Sequence, residues 1–179
     1  ARARALHEQL GYRCDSYAHM LLDSAVSALM LDDPETALEA AAEYHELSPP
    51  FGTGHEIRAL AHLAGGDIDA AIDAARSHAR LAVTGRFPQQ ATDSLLVLAA
   101  LAISDDDEQA AIELMLEMGQ CRTAELTSYA RHLASRLDIA DDFEANQRPI
   151  LADTGELIRR RAAADIQTLR NEMERRGWL

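Results

Sequence analysis

Asp33-Pro34-Glu35-Thr36-Ala37-Leu38, Asp67-Ile68-Asp69-Ala70-Ala71-Ile72 and Asp107-Glu108-Gln109-Ala110-Ala111-Ile112 are one pattern written three times. Each opens on an acid, continues to an alanine followed by a branched apolar residue, and comes just after an apolar run of helical periodicity. The alanines at 37, 71 and 111 are spaced by 34 and 40 residues. Self-similarity near that period is the mark of stacked helical hairpins, each of which buries its apolar face only against a neighbour. The pattern predicts an all-α superhelical array of antiparallel helix hairpins, three to four of them, closed by a C-terminal capping helix. Such arrays act more often as binding surfaces than as catalysts.

Working outward, Ser16–Leu31 reads as the first helix of the clearest repeat, with Leu21, Leu22, Ala25, Val26, Ala28 and Leu29 spaced by three and four on one face. Pro34 opens the next helix, because the first helical turn has no use for the amide that proline lacks. That helix runs to about Leu47 and stops at Ser48-Pro49-Pro50, with Gly52 and Gly54 loosening the connection. A second hairpin starts near His55, carries an inner stripe of Ile57, Leu60, Ala61 and Leu63, turns at Gly65-Gly66 and continues from an Asp67 cap to about Val83. Thr84-Gly85-Arg86-Phe87-Pro88 is a longer loop and accounts for the wider second spacing. Thr92–Ser104 and Glu108–Met118 form the third hairpin. Between them Asp105-Asp106-Asp107 lacks the spaced oxygen ligands of a calcium loop and reads as helix capping.

Arg122–Leu137 starts a fourth pair, in which Asp141-Asp142-Phe143-Glu144 is aligned with the earlier openings. The small residue there becomes Asn146 and Pro149 is expected to interrupt the helix, so the repeat decays. The last helix is predicted over about 154–176, capped by Asp153 with Glu156 completing a capping box and Gly177 providing the stop. Ile158, Ala162, Ile166, Leu169 and Met173 give it an apolar stripe that should fold back on the array. The organisation is a single domain over 1–179, with 1–14 as the end of a preceding helix, 15–148 as the repeats and 149–179 holding the C-terminal helix. Opening on Ala1 inside a helix-like stretch, it reads as a fragment of a longer protein.

Composition narrows the function. Aromatic residues are only 4% against 47% hydrophobic in total, which favours closely packed helices over a sheet sandwich. All 17 basic residues are arginine, so neither a Walker-type lysine nor a Schiff-base lysine is available in this segment. Net charge is −13, divided as +2 over residues 1–13, +3 over 159–176 and −18 over the rest. So acidic a body repels phosphate backbones, and no nucleic acid is expected as a partner of this segment. The longest apolar run, Leu95–Ile103, is too short to span a bilayer, no signal peptide is recognisable, and a cytoplasmic location without membrane contact is expected. Cys14 and Cys121 lack a metal-type spacing and read as buried thiols.

The turn-plus-alanine pattern resembles the tetratricopeptide repeat over about residues 16–120. Ala37, Ala71 and Ala111 match that family's small position early in the second helix, and Pro49 matches the proline that often follows it. Val83 and Thr123 stand where the other prolines would be, and the large aromatics of the first helices are missing, so this is a degenerate form. Degenerate arrays of this kind look like the interaction or sensor portions of large bacterial transcription regulators and signalling ATPases, with functions in transcription regulation and protein–protein interaction. The resemblance implies a concave groove lined by first helices. By position it nominates His19, Leu22, Val26, Leu29, Glu56, Leu60, Leu63, Leu96 and Ile103 as binding residues, a mostly apolar set. It suits an amphipathic peptide helix of a protein partner, or alternatively a small apolar effector controlling a DNA-binding or ATPase part elsewhere. The competing reading is that these leucines fill the core.

No catalytic centre is legible. The serines Ser16, Ser24 and Ser77 and both cysteines lie outside any nucleophile elbow or activated setting. His55 and His62 share a helix face at a spacing of seven, with His78 able to approach from the next helix, but no HExxH or CxxC framework accompanies them. No metal and no cofactor is expected, and a helical hydrolase or metalloenzyme is the least favoured class. Tyr12, Tyr17, Tyr44 and Tyr129 read as hairpin packing, and Arg159-Arg160-Arg161 as a solvated helix face.

Overall fold

In the computed structural model of the chain, residues 15–47, 54–84, 90–152 and 155–179 are described. Among them the fold is all-α, with nine helices and no strand. They are α1 (Asp15–Met30), α2 (Pro34–Leu47), α3 (His55–Ala64), α4 (Ile68–Val83), α5 (Ala91–Ser104), α6 (Glu108–Glu117), α7 (Ala124–Arg136), α8 (Ala140–Ala152) and α9 (Glu156–Arg175). The expected stop at Ser48-Pro49-Pro50, Gly52, the 85–88 part of the long loop, the Asp153 cap, Tyr12, Cys14 and the 1–14 segment lie outside the described residues.

The hairpin turns repeat at the level of single atoms. Asp32, Gly66, Asp106, Asp138 and Gly177 all have φ between 55° and 79°, the left-handed conformation that ends a helix. In each case the next residue's N–H reaches back to a carbonyl five residues earlier: Asp33 to Ala28, Asp67 to His62, Asp107 to Ala102, Ile139 to Ala134 and Trp178 to Met173, at 2.8–2.9 Å. This bond closes the orphaned end of the first helix. The aspartate after it then caps the second helix, since Asp33, Asp67 and Asp107 accept the N–H groups of Thr36, Ala70 and Ala110 at 3.1–3.2 Å. Four residues beyond each cap Ala37, Ala71 and Ala111 are wholly buried, where a larger side chain would hold the two helices apart.

The turn at Asp138 corrects the alignment of the fourth pair. Counted from the left-handed residue, Ile139 takes the capping position and Phe143 the small position, so the Asp141-Asp142 opening and Asn146 are out of step. Phe143 is buried, and Asn146 is exposed and donates to the Leu116 carbonyl at 3.1 Å. Pro149 does not interrupt the helix either, since α8 continues to Ala152. Proline here forfeits one hydrogen bond, to the Ala145 carbonyl, without breaking the helical path. At the start of α9 the N-cap is Gly155, and Glu156 bonds to Arg159 and Arg160 instead of completing a capping box.

The first helices α1, α3, α5 and α7 touch in sequence, and α7 also reaches α1. The second helices flank them, and α9 folds back to pack on α5 and α4. As a result α5 is surrounded, with every residue from Ala91 to Ala102 buried. That explains why its sequence is apolar on all sides instead of on one stripe. The apolar stripe of α9 contributes Leu169 and Met173, both with no exposed surface. Trp178 locks the end of the chain onto α4. The guanidinium groups of Arg76 and Arg176 lie 5.6 and 5.7 Å from the centre of its ring, and its carbonyl accepts from Arg80 at 3.3 Å. No described helix is long and apolar enough to cross a membrane.

Candidate functional site

Glu56 stands in the first turn of α3, four residues before Leu60 and therefore on the helix face that enters the core. Its side chain is fully buried. Oε2 accepts the Gly54 N–H at 3.0 Å and Oε1 accepts from Arg122 at 3.1 Å. Gly54 holds φ 105°, and a Cβ there would press on His45 and Tyr44 at 3.3–3.4 Å, so glycine is required at this turn. Arg122 lies in the link between α6 and α7, and it also binds Asp93 of α5. Its backbone N–H donates to Oδ1 at 3.0 Å and its Nε to Oδ2 at 3.3 Å. Two wholly buried carboxylates thus share one guanidinium, which is itself 23% exposed.

His78 of α4 completes the cluster. Nδ1 is 2.9 Å from Ser94 Oγ, while Nε2 stands 3.4 Å from Glu56 Oε2 without an aligned hydrogen bond. The Ser94 hydroxyl also lies 3.0 Å from the Gln90 carbonyl. It has one proton for two acceptors, and the choice sets the histidine tautomer. Burial dominates the titration of the group. It raises Glu56 against the pull of Arg122, and with the charge of Glu56 it raises Asp93 to about 6. It lowers His78 to about 4 despite the charge of Asp93. At neutral pH the imidazole is therefore neutral.

A second buried network adjoins the first. Asp165 of α9 accepts from the Thr92 hydroxyl and from the Gly119 N–H at 3.2 Å. Gln147 of α8 donates to the carbonyls of Met118 and Gly119 at 3.3 and 3.2 Å. A Cβ on Gly119 would fall 2.8 Å from Asp165 Oδ2, so glycine lets α9 approach. Backbone groups of Met118, Gly119 and Arg122 in the α6–α7 link are thus bonded by α5, α8 and α9, as burying a loop demands. Cys121, in the same link, is a buried free thiol whose pKa is pushed well up by burial and by the charges of Asp93 and Asp165.

The order Ser94–His78–Glu56 imitates a nucleophile, base and orienting acid. Its burial defeats the imitation. Ser94 is 2% exposed and His78 not at all, so no scissile bond reaches Oγ unless α4 or α5 moves, and the His78–Glu56 contact is unaligned. Of this cluster the sequence singles out Glu56 as a groove residue and His78 only as a histidine able to approach His62. Asp93 and Ser94 sit in the first turn of α5, where polar residues are ordinary, and Arg122 sits near the end of the α6–α7 link. A glutamate on the Leu60 stripe was the one local signal.

The nominated groove residues separate into three environments. Leu22, Val26, Leu29, Glu56, Leu60 and Leu96 are buried, Leu63 and Ile103 are half-buried, and His19 is exposed. Leu29, Leu60, Leu63 and Ile103 meet at one end of the first helices, where with Tyr129 and Arg136 they border a cup of about 360 Å³. His78 belongs to the buried cluster, and His62 lies 3.8 Å from Asp67. No group of three His, Cys, Asp or Glu side chains suited to a metal occurs among the described residues.

Comparison of the chain with protein-family models, with curated proteins and with solved structures finds no match. The reading of function accordingly rests on the residues and geometry above.

Proposed function

We propose that this chain is a tetratricopeptide-like hairpin array that binds a protein or peptide, as the interaction or sensor part of a bacterial regulatory or signalling protein in the cytoplasm. The observation carrying the proposal is the recurrence of one turn. A left-handed residue, the same backward hydrogen bond and, in three cases, an aspartate cap join the helices of successive hairpins. Hairpins built alike and stacked side by side expose long interhelical surfaces, and such surfaces serve recognition. The buried polar cluster is read as an internal tie that fixes α3, α4, α5 and the α6–α7 link.

A second reading has its own observation. The cup at Leu29, Leu60, Leu63 and Ile103 has an apolar floor under a mostly polar rim of Asp32, Ser104, His132 and Arg136, a size that suits a small effector with an apolar body and a polar end. Selection of a displayed library of helical peptides against the purified chain tests the first reading. Enriched sequences that compete with one another support it. Failure to enrich any sequence, together with a thermal shift on adding short aliphatic carboxylates, supports the effector reading instead.

A further inference from the structure

The surfaces between the helices of each hairpin are not equally occupied. In the first hairpin a groove of about 740 Å³ runs between Tyr17, Met20 and Leu21 of α1 and Glu39, Ala40 and Glu46 of α2. With Ser24, Thr36 and Glu43, which also line it, the positions recur at three and four residues, so the groove follows about two turns of α1 and nearly three of α2, on the order of 10–15 Å. Its floor is apolar, Met20 is 51% exposed, and one wall is a row of glutamates. Glu43 in that row is held by the Tyr17 hydroxyl at 2.6 Å, while Glu39 and Glu46 are exposed.

The third hairpin has a helix beside the corresponding wall. Moved on by the 74 residues that separate Ala37 from Ala111, positions Thr36, Glu39, Ala40 and Glu43 become Ala110, Glu113, Leu114 and Glu117. Those four border α9 across a cavity, opposite Thr168, Glu172 and Arg175. Nearby, Arg176 comes within 3.9 Å of Asp105. An arginine-bearing helix thus runs beside the equivalent second-helix wall elsewhere in this chain, across a cavity from it.

Charge completes the case. Residues 15–47 hold eight carboxylates and no arginine or lysine, an interval unbroken by any arginine between Arg13 and Arg58. Resting on the protein-binding reading above, we propose that the α1–α2 groove is the docking site for a basic amphipathic helix of a partner protein. The helix lays its apolar side on Met20, Leu21 and Ala40 and turns arginine or lysine toward Glu39 and Glu46. Apolar burial supplies most of the affinity, and the glutamates steer and orient the helix.

The test uses the full chain and a synthetic peptide of about four helical turns, with leucine at helical spacing on one face and arginine on the other, followed by fluorescence anisotropy. A scrambled peptide of the same composition controls for charge. The expected result is that the amphipathic peptide binds about tenfold more tightly than the scramble, and that Glu39→Arg with Glu46→Arg weakens it by about tenfold or more. Met20→Glu should weaken it comparably. Asp142→Arg with Glu174→Arg, the same change of net charge on exposed sites of α8 and α9, should leave it nearly unchanged. Equal losses in the two charge-reversed variants would overturn the proposal, since net charge alone would then explain binding. Tight binding indifferent to Glu39, Glu46 and Met20 also overturns it, yet leaves the protein-binding reading standing, because that reading fails only when no displayed helix is enriched.

Discussion

Arg122→Met removes the one guanidinium shared by Glu56 and Asp93, both of which have no exposed surface. Breaking a buried ion pair by deleting one partner costs about 3–5 kcal/mol, because a charge remains without compensation. The 23% exposure of Arg122 lets water soften the loss, so about 3 kcal/mol is expected at pH 7. Urea unfolding followed by helical circular dichroism reads this directly: with a slope of about 2 kcal/mol per molar, the midpoint falls by roughly 1.5 M. Arg159→Met, whose ion pair is exposed on both sides, should shift the midpoint by no more than about 0.25 M, equivalent to about 0.5 kcal/mol. The cost of Arg122→Met must also depend on pH. Asp93, held at about 6 by burial and Glu56 against the pull of Arg122, is raised further once Arg122 is gone and takes up a proton as pH falls, so its stranded charge disappears. A midpoint shift below about 0.3 M at pH 7, or one equally large at pH 5, would refute the view that Arg122 holds two buried charges.

Three further outcomes follow from the same geometry. Asp93 is raised to about 6 from 3.8, which favours the folded state as pH falls from 6 toward 3.8; His78 is lowered to about 4 from 6.5, which disfavours it as pH falls from 6.5 toward 4. The two oppose each other, so Asp93→Asn should make stability fall more steeply between pH 6.5 and 4 than in the unsubstituted chain, by on the order of 2 kcal/mol across the window in denaturant titrations. Ala71→Leu should overpack the fully buried α3–α4 contact and cost about 1–3 kcal/mol in chemical denaturation. Gly119→Ala should cost about 1–2 kcal/mol by the same assay, because its Cβ would meet Asp165 Oδ2, a side chain pinned by Thr92 and Gly119.

What could be read in advance was what local chemistry writes. Aspartate after a left-handed residue, alanine four positions later and a preceding apolar stripe are all contiguous, so the boundaries of α1 to α6 fall within a residue or two of those expected from them. The fourth pair was misaligned because Ile139 and Phe143 occupy positions where the pattern expects an acid and a small residue, while Asp141 and Asp142 supply a false opening. The geometry of the turn is kept by Asp138 alone, and backbone conformation is not spelled by one residue. Pro149 misled for a related reason, since a single missing amide weakens a helix without ending it. The buried cluster was less legible still. Glu56 and Arg122 are 66 residues apart, and only the stacking of three hairpins brings them to one guanidinium. The packing of α9 on α5 and α4 was foreseen in kind from its apolar stripe, but its place depended on the contact that Gly119 permits.

On the proposal above, a basic amphipathic helix docks between α1 and α2. Hydrogen–deuterium exchange of the full chain, with and without the leucine–arginine peptide, tests this most directly. Slowed exchange of about fivefold or more is expected along residues 17–24 and 36–46, which line the groove, with no change in the already buried α5. Slowed exchange at the cup formed by residues 60–64, 100–104 and 129–136, or no local protection on binding, would contradict it.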